Sequence, residues 1–150
     1  MKYIEATNEW EREPGERAIF LAGGIIGCPD WQTEMTERLS DTNLVVLNPR
    51  RANFPDHACE PYATTIQIKW EFDNLRTADM VLFWFPKEGL CQTSLYELGS
   101  QVMMNKPLFI GVEHGYVKAG GIKKQMALVR PEVPVVNNLE DLELLIKGSI

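Results

Sequence analysis

The sequence predicts a three-layer α/β fold, in which helices cover both faces of a five-stranded parallel sheet. Short apolar runs, typical of strands buried on both faces, alternate with helix-periodic segments of about 10 to 15 residues. This alternation indicates right-handed βαβ units and a flavodoxin-like arrangement of the strands. The five predicted strands begin near these residues: Ala18, Leu44, Met80, Leu108 and Val133.

The helices are predicted from apolar side chains that recur three or four residues apart. In the first of them, Trp31, Met35 and Leu39 share one face, and Asp30 can cap the helix. The predicted helices cover residues 31–40, 64–77, 93–105, 122–129 and 139–146. Residues 1–17 are polar and contain Pro14-Gly15, so we interpret them as an irregular lead-in to one domain, residues 18–150.

The composition limits the classes of function. The chain has 150 residues, 45% of them hydrophobic and 24% charged, as expected of one globular domain. A net charge of −6 argues against a nucleic-acid polymer as partner, because such binding needs a basic face. The N-terminus lacks the apolar core of a signal peptide, and no apolar run reaches the ~18 residues of a membrane span. We therefore expect a cytoplasmic protein with no membrane partner.

The three cysteines, Cys28, Cys59 and Cys91, are far apart and odd in number. No Cys-x-x-Cys pair occurs, so the sequence indicates neither a zinc ribbon nor a disulfide framework. His57-Ala58-Cys59-Glu60 resembles half of a zinc-deaminase signature, but the later Pro-Cys-x-x-Cys is absent. We expect no metal and no cofactor. The surrounding residues 53–63 are predicted to form a long loop, a candidate lid over a site.

The unusual residues lie just after the predicted strands. Because the carboxyl ends of parallel strands meet at one edge of the sheet, these loops are expected to line a single ligand crevice. Glycines at the end of the first strand allow the backbone to approach a ligand, although the glycines taken alone favour an ordinary tight turn. An arginine after the second strand offers a planar fork of donors, or is merely a solvated basic residue. The residues concerned are Gly23 and Gly24 after the first strand, and Asn48 and Arg50 after the second.

A carboxylate follows the third predicted strand, within Thr93-Ser94-Leu95-Tyr96-Glu97. We expect Thr93 or Ser94 to cap the next helix with its hydroxyl. Glu97 would then lie near the positive end of the helix dipole, which favours its ionised form. The alternative is that Glu97 only completes a capping box.

Five stretches together resemble the nucleoside 2-deoxyribosyltransferase-like proteins, whose superfamily includes nucleoside and nucleotide N-hydrolases. They are Phe20-Leu21-Ala22-Gly23-Gly24-Ile25, Asn48-Pro49-Arg50-Arg51, Gln67-Ile68-Lys69-Trp70-Glu71, Ala78-Asp79-Met80-Val81-Leu82 and Tyr96-Glu97-Leu98-Gly99. The resemblance implies that Glu97 is a nucleophile toward the anomeric carbon of a nucleoside or nucleoside monophosphate. It also implies that Glu71 assists the departing base, and that the protein is a homo-oligomer.

One position departs from this resemblance. Transferases of the family have an aspartate six residues before the nucleophile, and monophosphate hydrolases tend to have a small hydroxyl residue there. This chain has Cys91. The departure leaves open a 5′-hydroxyl or a 5′-phosphate, and transfer or hydrolysis. The residues expected to contact substrate are Gly23, Gly24, Asn48, Arg50, Cys91 and Ser94.

Two other functions are alternatives to the enzyme. A nucleotide-binding module of the same fold without chemistry is the main alternative, and Cys91 is the feature that favours it. A receiver-like signalling domain would need an acidic pair after the first strand and an aspartate at the end of the third. The chain has Gly23-Gly24 and Trp84-Phe85-Pro86 at these places, which disfavours a receiver.

Overall fold

The computed structural model of the chain describes residues 1–52 and 61–150, with only the backbone of residues 61–64. The strands are β1 (Lys2–Glu5), β2 (Ala18–Gly23), β3 (Val45–Asn48), β4 (Met80–Phe85), β5 (Leu108–Val112) and β6 (Val135–Val136). The helices are α1 (Trp31–Arg38), α2 (Pro61–Thr77), α3 (Gln92–Gln101), α4 (Ala119–Val129) and α5 (Leu139–Lys147). Residues 53–60 of the predicted lid lie outside the described residues.

The strands form one parallel sheet in the order β1-β3-β2-β4-β5-β6. Without β1, this is the flavodoxin-like order, so the predicted fold class is confirmed. The chain adds β3 on one side of β2 and then crosses to β4 on the other. The carboxyl ends of β2 and β4 therefore lie at the point where the direction of winding reverses. This is the place where open α/β sheets bind their ligands.

The prediction of five strands is wrong by one, because Lys2–Glu5 adds a sixth strand at the edge. An edge strand is paired on one side only and is covered incompletely, so it lacks the continuous apolar run that revealed the central strands. The lead-in after it is held to α2 by side-chain hydrogen bonds. Trp10 Nε1 donates to Asn74 Oδ1 at 2.7 Å, and Trp70 Nε1 donates to the carbonyl of Asn8 at 2.8 Å.

Two apolar clusters hold the helices on the sheet. One face packs against α2, α3 and α4 around side chains such as Phe83 and Phe85, and the other packs against α1 and α5 around Trp31 and Leu142. Strand β4 is buried along its whole length, as its run of apolar residues predicted. Within the residues that the structure describes, no helix is long and apolar enough to cross a membrane.

Candidate active site

We call the place where the loops after β2 and β4 diverge the crevice, because open α/β sheets bind their ligands at such a reversal of winding. The two strands run side by side to their ends, with Gly23 opposite Trp84. One further bond, from Gly24 N to the carbonyl of Trp84 at 3.3 Å, holds the first loop residue against β4. Beyond this bond the β2 loop turns toward α1, and the β4 loop runs on to α3. The predicted meeting of these loops at one edge is therefore what the structure shows.

The two glycines of the β2 loop are needed for close packing. A Cβ at Gly23 would lie 2.3 Å from the carbonyl oxygen of Trp84. A Cβ at Gly24 would lie 2.7 Å from Cys28 Sγ and 2.9 Å from Cys91 Sγ, so the backbone here fills the space of a side chain. The carbonyl of Gly24 accepts from Trp31 Nε1 at 2.8 Å. The glycines thus bring the β2 and β4 loops into contact.

Arg50, in the loop after β3, holds the loop after β2 in place beside the crevice. Its guanidinium donates to the carbonyls of Pro29 at 2.9 Å and Cys28 at 3.2 Å. It also donates to Gln32 Oε1 at 3.3 Å and lies 3.6 Å from the carboxylate of Asp30. Those contacts tie the β2 loop to the β3 loop. The guanidinium of Arg50, which we expected to contact a ligand, is therefore bonded to groups of the protein itself.

Asn48, the last residue of β3, is 2% exposed and shapes the turn that leads to Arg50. Its Oδ1 accepts from Arg50 N at 2.9 Å, and its Nδ2 donates to Tyr3 Oη at 3.0 Å. An asparagine that bonds its own backbone two residues on is a usual way to fix a turn. Asn48 is thus placed at the crevice edge with both of its amide groups engaged.

Two carboxyl groups from different helices lie near each other on one face of the sheet. Glu97 comes from the second turn of α3 and Glu71 from α2, and each side chain is partly accessible. They are close enough that the charge of Glu71 contributes to the raised pKa of Glu97. Residues 26 positions apart in sequence are brought together because α2 and α3 flank β4 on the same face of the sheet.

Gln67, one helical turn before Glu71, orients that carboxyl group. Its Nε2 donates to Glu71 Oε1 at 2.6 Å and to the carbonyl of Pro49 at 2.8 Å. Gln67 is 6% exposed, and its bond to Pro49 is buried while its bond to Glu71 is partly buried. They fix Glu71 relative to the loop after β3. Gln67 also leaves its own Oε1 buried without a hydrogen bond among the described residues, an arrangement that usually costs stability.

The prediction that Glu97 is held ionised is wrong for the ligand-free protein. Burial, with a smaller contribution from the charge of Glu71, raises the pKa of Glu97 to about 8. Helix α3 begins at Gln92, so Glu97 lies beyond the first turn, where the helix dipole has little effect. Burial also raises the pKa of Glu71, against the hydrogen bond from Gln67 and the charge of Arg51, which both lower it. The pair therefore keeps a proton near neutral pH.

The predicted cap of α3 is wrong too. The N-cap position is occupied by Cys91, whose side chain makes no capping bond, and Thr93 and Ser94 lie inside the first turn. A capping box needs Ser94 at the N-cap, so Glu97 does not complete one. The simplest structural explanation for this glutamate is thereby removed. Ser94 is 4% exposed and lies on the buried side of the turn.

Sequence reasoning missed two residues of this region. Gln67 stands four positions before Glu71, the spacing at which helical side chains meet, so a signal was present in the sequence. Cys28 lies beside Cys91 in space, but 63 positions away in sequence, and no pattern pointed to that contact. In the described parts of the chain, no three His, Cys, Asp or Glu side chains form a group that could hold a metal ion.

The parallel sheet with helices on both faces defines an α/β protein, and two carboxyl groups, Glu71 and Glu97, lie close together on one of these faces. The sequence model of one family, described as nucleoside 2-deoxyribosyltransferase like, matches residues 16–116. This is well over half of the chain, and the protein belongs to that family. The match spans both Glu71 and Glu97. A search of curated proteins found no match.

Proposed function

We propose that the protein cleaves or transfers the N-glycosidic bond of a nucleoside or nucleoside 5′-monophosphate. The observation that carries the proposal is the pair of partly buried carboxyl groups, Glu97 and Glu71, on two helices at the end of β4. Membership of the family supports a nucleoside as the substrate class. A paired nucleophile and acid is also what a retaining glycosidic mechanism requires, because its transition state resembles an oxocarbenium ion.

In the proposed reaction, the carboxylate of Glu97 attacks C1′ of the sugar and forms an ester. The C1′–N bond breaks, its electron pair goes to the base nitrogen, and Glu71 donates a proton to the departing base. Water or a second base then attacks C1′ and gives its proton to the carboxylate of Glu71, and Glu97 leaves as the carboxylate. Binding must therefore place the shared proton on Glu71. Positive charge developing on the sugar beside Glu97 favours that distribution, because it stabilises the neighbouring anion.

The remaining predicted site residues form the surroundings of this pair in the proposal. In this proposal Gly23, Gly24, Cys91 and Ser94 lie closest to the substrate's sugar. Asn48 and Arg50 shape the crevice through the loops that they hold. The protein needs no cofactor for this chemistry, since both catalytic groups come from the chain. We also propose that the protein is cytoplasmic and that it forms a homo-oligomer. Light scattering at micromolar concentration would test the oligomeric state.

A binding module without chemistry is the second candidate, and Cys91 supports it. Its thiol stands where related transferases have an aspartate, and burial raises its pKa to about 12, so it brings no charge to a sugar hydroxyl. A module would bind nucleosides in calorimetry and release no base. An enzyme would release free base from at least one member of a panel of nucleosides and monophosphates, detected by chromatography.

A mechanism-based probe tests the nucleophile directly. A 2-fluoro-2-deoxy-sugar nucleoside slows breakdown of the ester, because fluorine destabilises the oxocarbenium-like state. Intact-protein mass spectrometry should then show one added sugar, and digestion should map it to the peptide that contains Glu97. Glu97→Gln should lose turnover and remain unlabelled, while Glu71→Gln should keep labelling with a loss on the order of 10²–10⁴-fold in rate. Normal turnover by Glu97→Ala would refute the assignment.

A further inference from the structure

The two cysteines at the start of the crevice lie against each other. Cys28 is in the loop after β2, and Cys91 is the N-cap of α3 at the end of the β4 loop. Their sulfur atoms lie 2.7 and 2.9 Å from the position that a Cβ at Gly24 would occupy. The same two sulfurs lie 2.5 and 3.4 Å from the corresponding position at Gly89. Two glycines thus leave the space that the pair of thiols fills.

The thiols also interact directly. The pKa of Cys28 is raised mainly by burial and is lowered in part by a hydrogen bond from Cys91. Cys28 Sγ in turn donates to the carbonyl of Ile26 at 3.5 Å. Both cysteines are free thiols in this structure. The two sulfurs are therefore direct neighbours, within hydrogen-bonding reach of each other.

The backbone at Cys91 supports a special role for this contact. Within the described residues, Cys91 is the one non-glycine residue with a positive φ, 48°. Such a conformation costs free energy for a residue with a side chain, and it persists where the surroundings enforce it. The side chain of an N-cap residue usually accepts a hydrogen bond from the first turn of the helix, and Cys91 makes no such bond. What the strained turn does achieve is to direct the thiol of Cys91 toward Cys28.

We propose that Cys28 and Cys91 form a site of reversible oxidation, at which hydrogen peroxide converts the two thiols into an intramolecular disulfide. In the first step, one thiolate attacks a peroxide oxygen, which gives a sulfenic acid and, with one proton, water. The second thiol then attacks the sulfenic sulfur, forming the S–S bond and releasing a second water. The cysteines lose two electrons in total, and the peroxide gains them. A dithiol reductant reverses the change.

The bridge would join the loop after β2 to the first residue of α3. It would therefore restrain the turn from which the helix carrying Glu97 begins. Transient disulfides of this kind are the ones that occur in reducing compartments, where they serve as redox sensors. The inference depends on the two thiols alone and stands apart from the proposed reaction.

The test uses the full-length protein with Cys59→Ser, so that the folded chain carries two thiols. Hydrogen peroxide should lower the intact mass by two hydrogens, and dithiothreitol should restore it. Peptide mapping without reduction should recover the Cys28 and Cys91 peptides as one linked species. The rate should rise about tenfold per pH unit from pH 7 to 9, because thiolates react and both thiol pKa values are raised.

Hydrogen exchange adds a structural readout. Amides in the first turn of α3 should exchange more slowly in the oxidised protein than in the reduced protein. The Cys28→Ser variant in the same background is the matched control and should gain oxygen atoms instead of losing hydrogens. Overturning results are stepwise oxygen addition to the two-thiol protein, a bridge between two chains, or oxidation of native wild-type protein that links Cys59 instead.

Discussion

Glu97→Gln tests the central electrostatic feature of the site, and no substrate is needed. The carboxyl has a pKa of about 8 in the folded protein, against an ordinary value of 4.5. A raised pKa means that the stability associated with Glu97 is fully present below pH 4.5 and is lost as the pH rises to about 8. Each pKa unit is worth about 1.36 kcal/mol, so ionisation costs the folded state up to about 5 kcal/mol.

The glutamine variant cannot ionise and should avoid this cost. We expect its free energy of unfolding to match that of the wild type near pH 4. It should exceed the wild type by about 2–5 kcal/mol at pH 9, the lower figure allowing for the partial accessibility of the side chain. Urea denaturation followed by tryptophan fluorescence from pH 4 to 9.5 measures the difference. Glu37→Gln, at an exposed position of α1, shows what the loss of a solvent-facing carboxylate does by itself.

The pair makes a second, sharper comparison possible. In a Glu71→Gln background, the charge that adds to the raised pKa of Glu97 is gone, while the burial that contributes most remains. The gain from Glu97→Gln at pH 9 should therefore shrink without vanishing. A difference between Glu97→Gln and wild type that stays flat from pH 4 to 9.5 would refute both the burial of the carboxyl and its coupling to Glu71.

Three further substitutions test the supports of the site, and a fourth, Gly99→Ala, is the control for one of them. Gln67→Leu should raise the pKa of Glu71, because the hydrogen bond from Gln67 lowers that pKa. The pH profile of turnover should therefore move to higher pH. An unchanged profile would contradict this positioning role of Gln67. Arg50→Lys loses the planar fork that holds two carbonyls and should cost about 1.5–3 kcal/mol in denaturant unfolding. A free energy of unfolding equal to that of the wild type would contradict this role of Arg50. Gly24→Ala should cost about 1–3 kcal/mol, because its Cβ would overlap two sulfurs. Gly99→Ala, which meets nothing within 4 Å on α3, should instead stabilise the protein by about 0.5–1 kcal/mol; equal effects of the two alanines would refute the close packing at Gly24.

The sequence by itself determined the central sheet and its winding. Apolar runs such as Met80-Val81-Leu82-Phe83-Trp84-Phe85 indicate strands buried on both faces. The helical segments between these runs imply parallel crossover connections. The loops that would meet at one edge followed from this topology. Strand β1 was not predicted, because an edge strand can be polar and half exposed. Its pairing with β3 therefore produces no clear apolar pattern in the sequence.

Only the tertiary structure decided the electrostatics and the contacts within the crevice. The position of Glu97 in sequence suggested an ionised carboxylate, whereas burial beside Glu71 reverses that expectation. Burial and proximity depend on how α2 and α3 pack on β4, which local pattern does not encode. The meeting of Cys28 with Cys91 has the same origin. It depends on two glycines that carry no side chain, in loops brought together by the winding of the sheet.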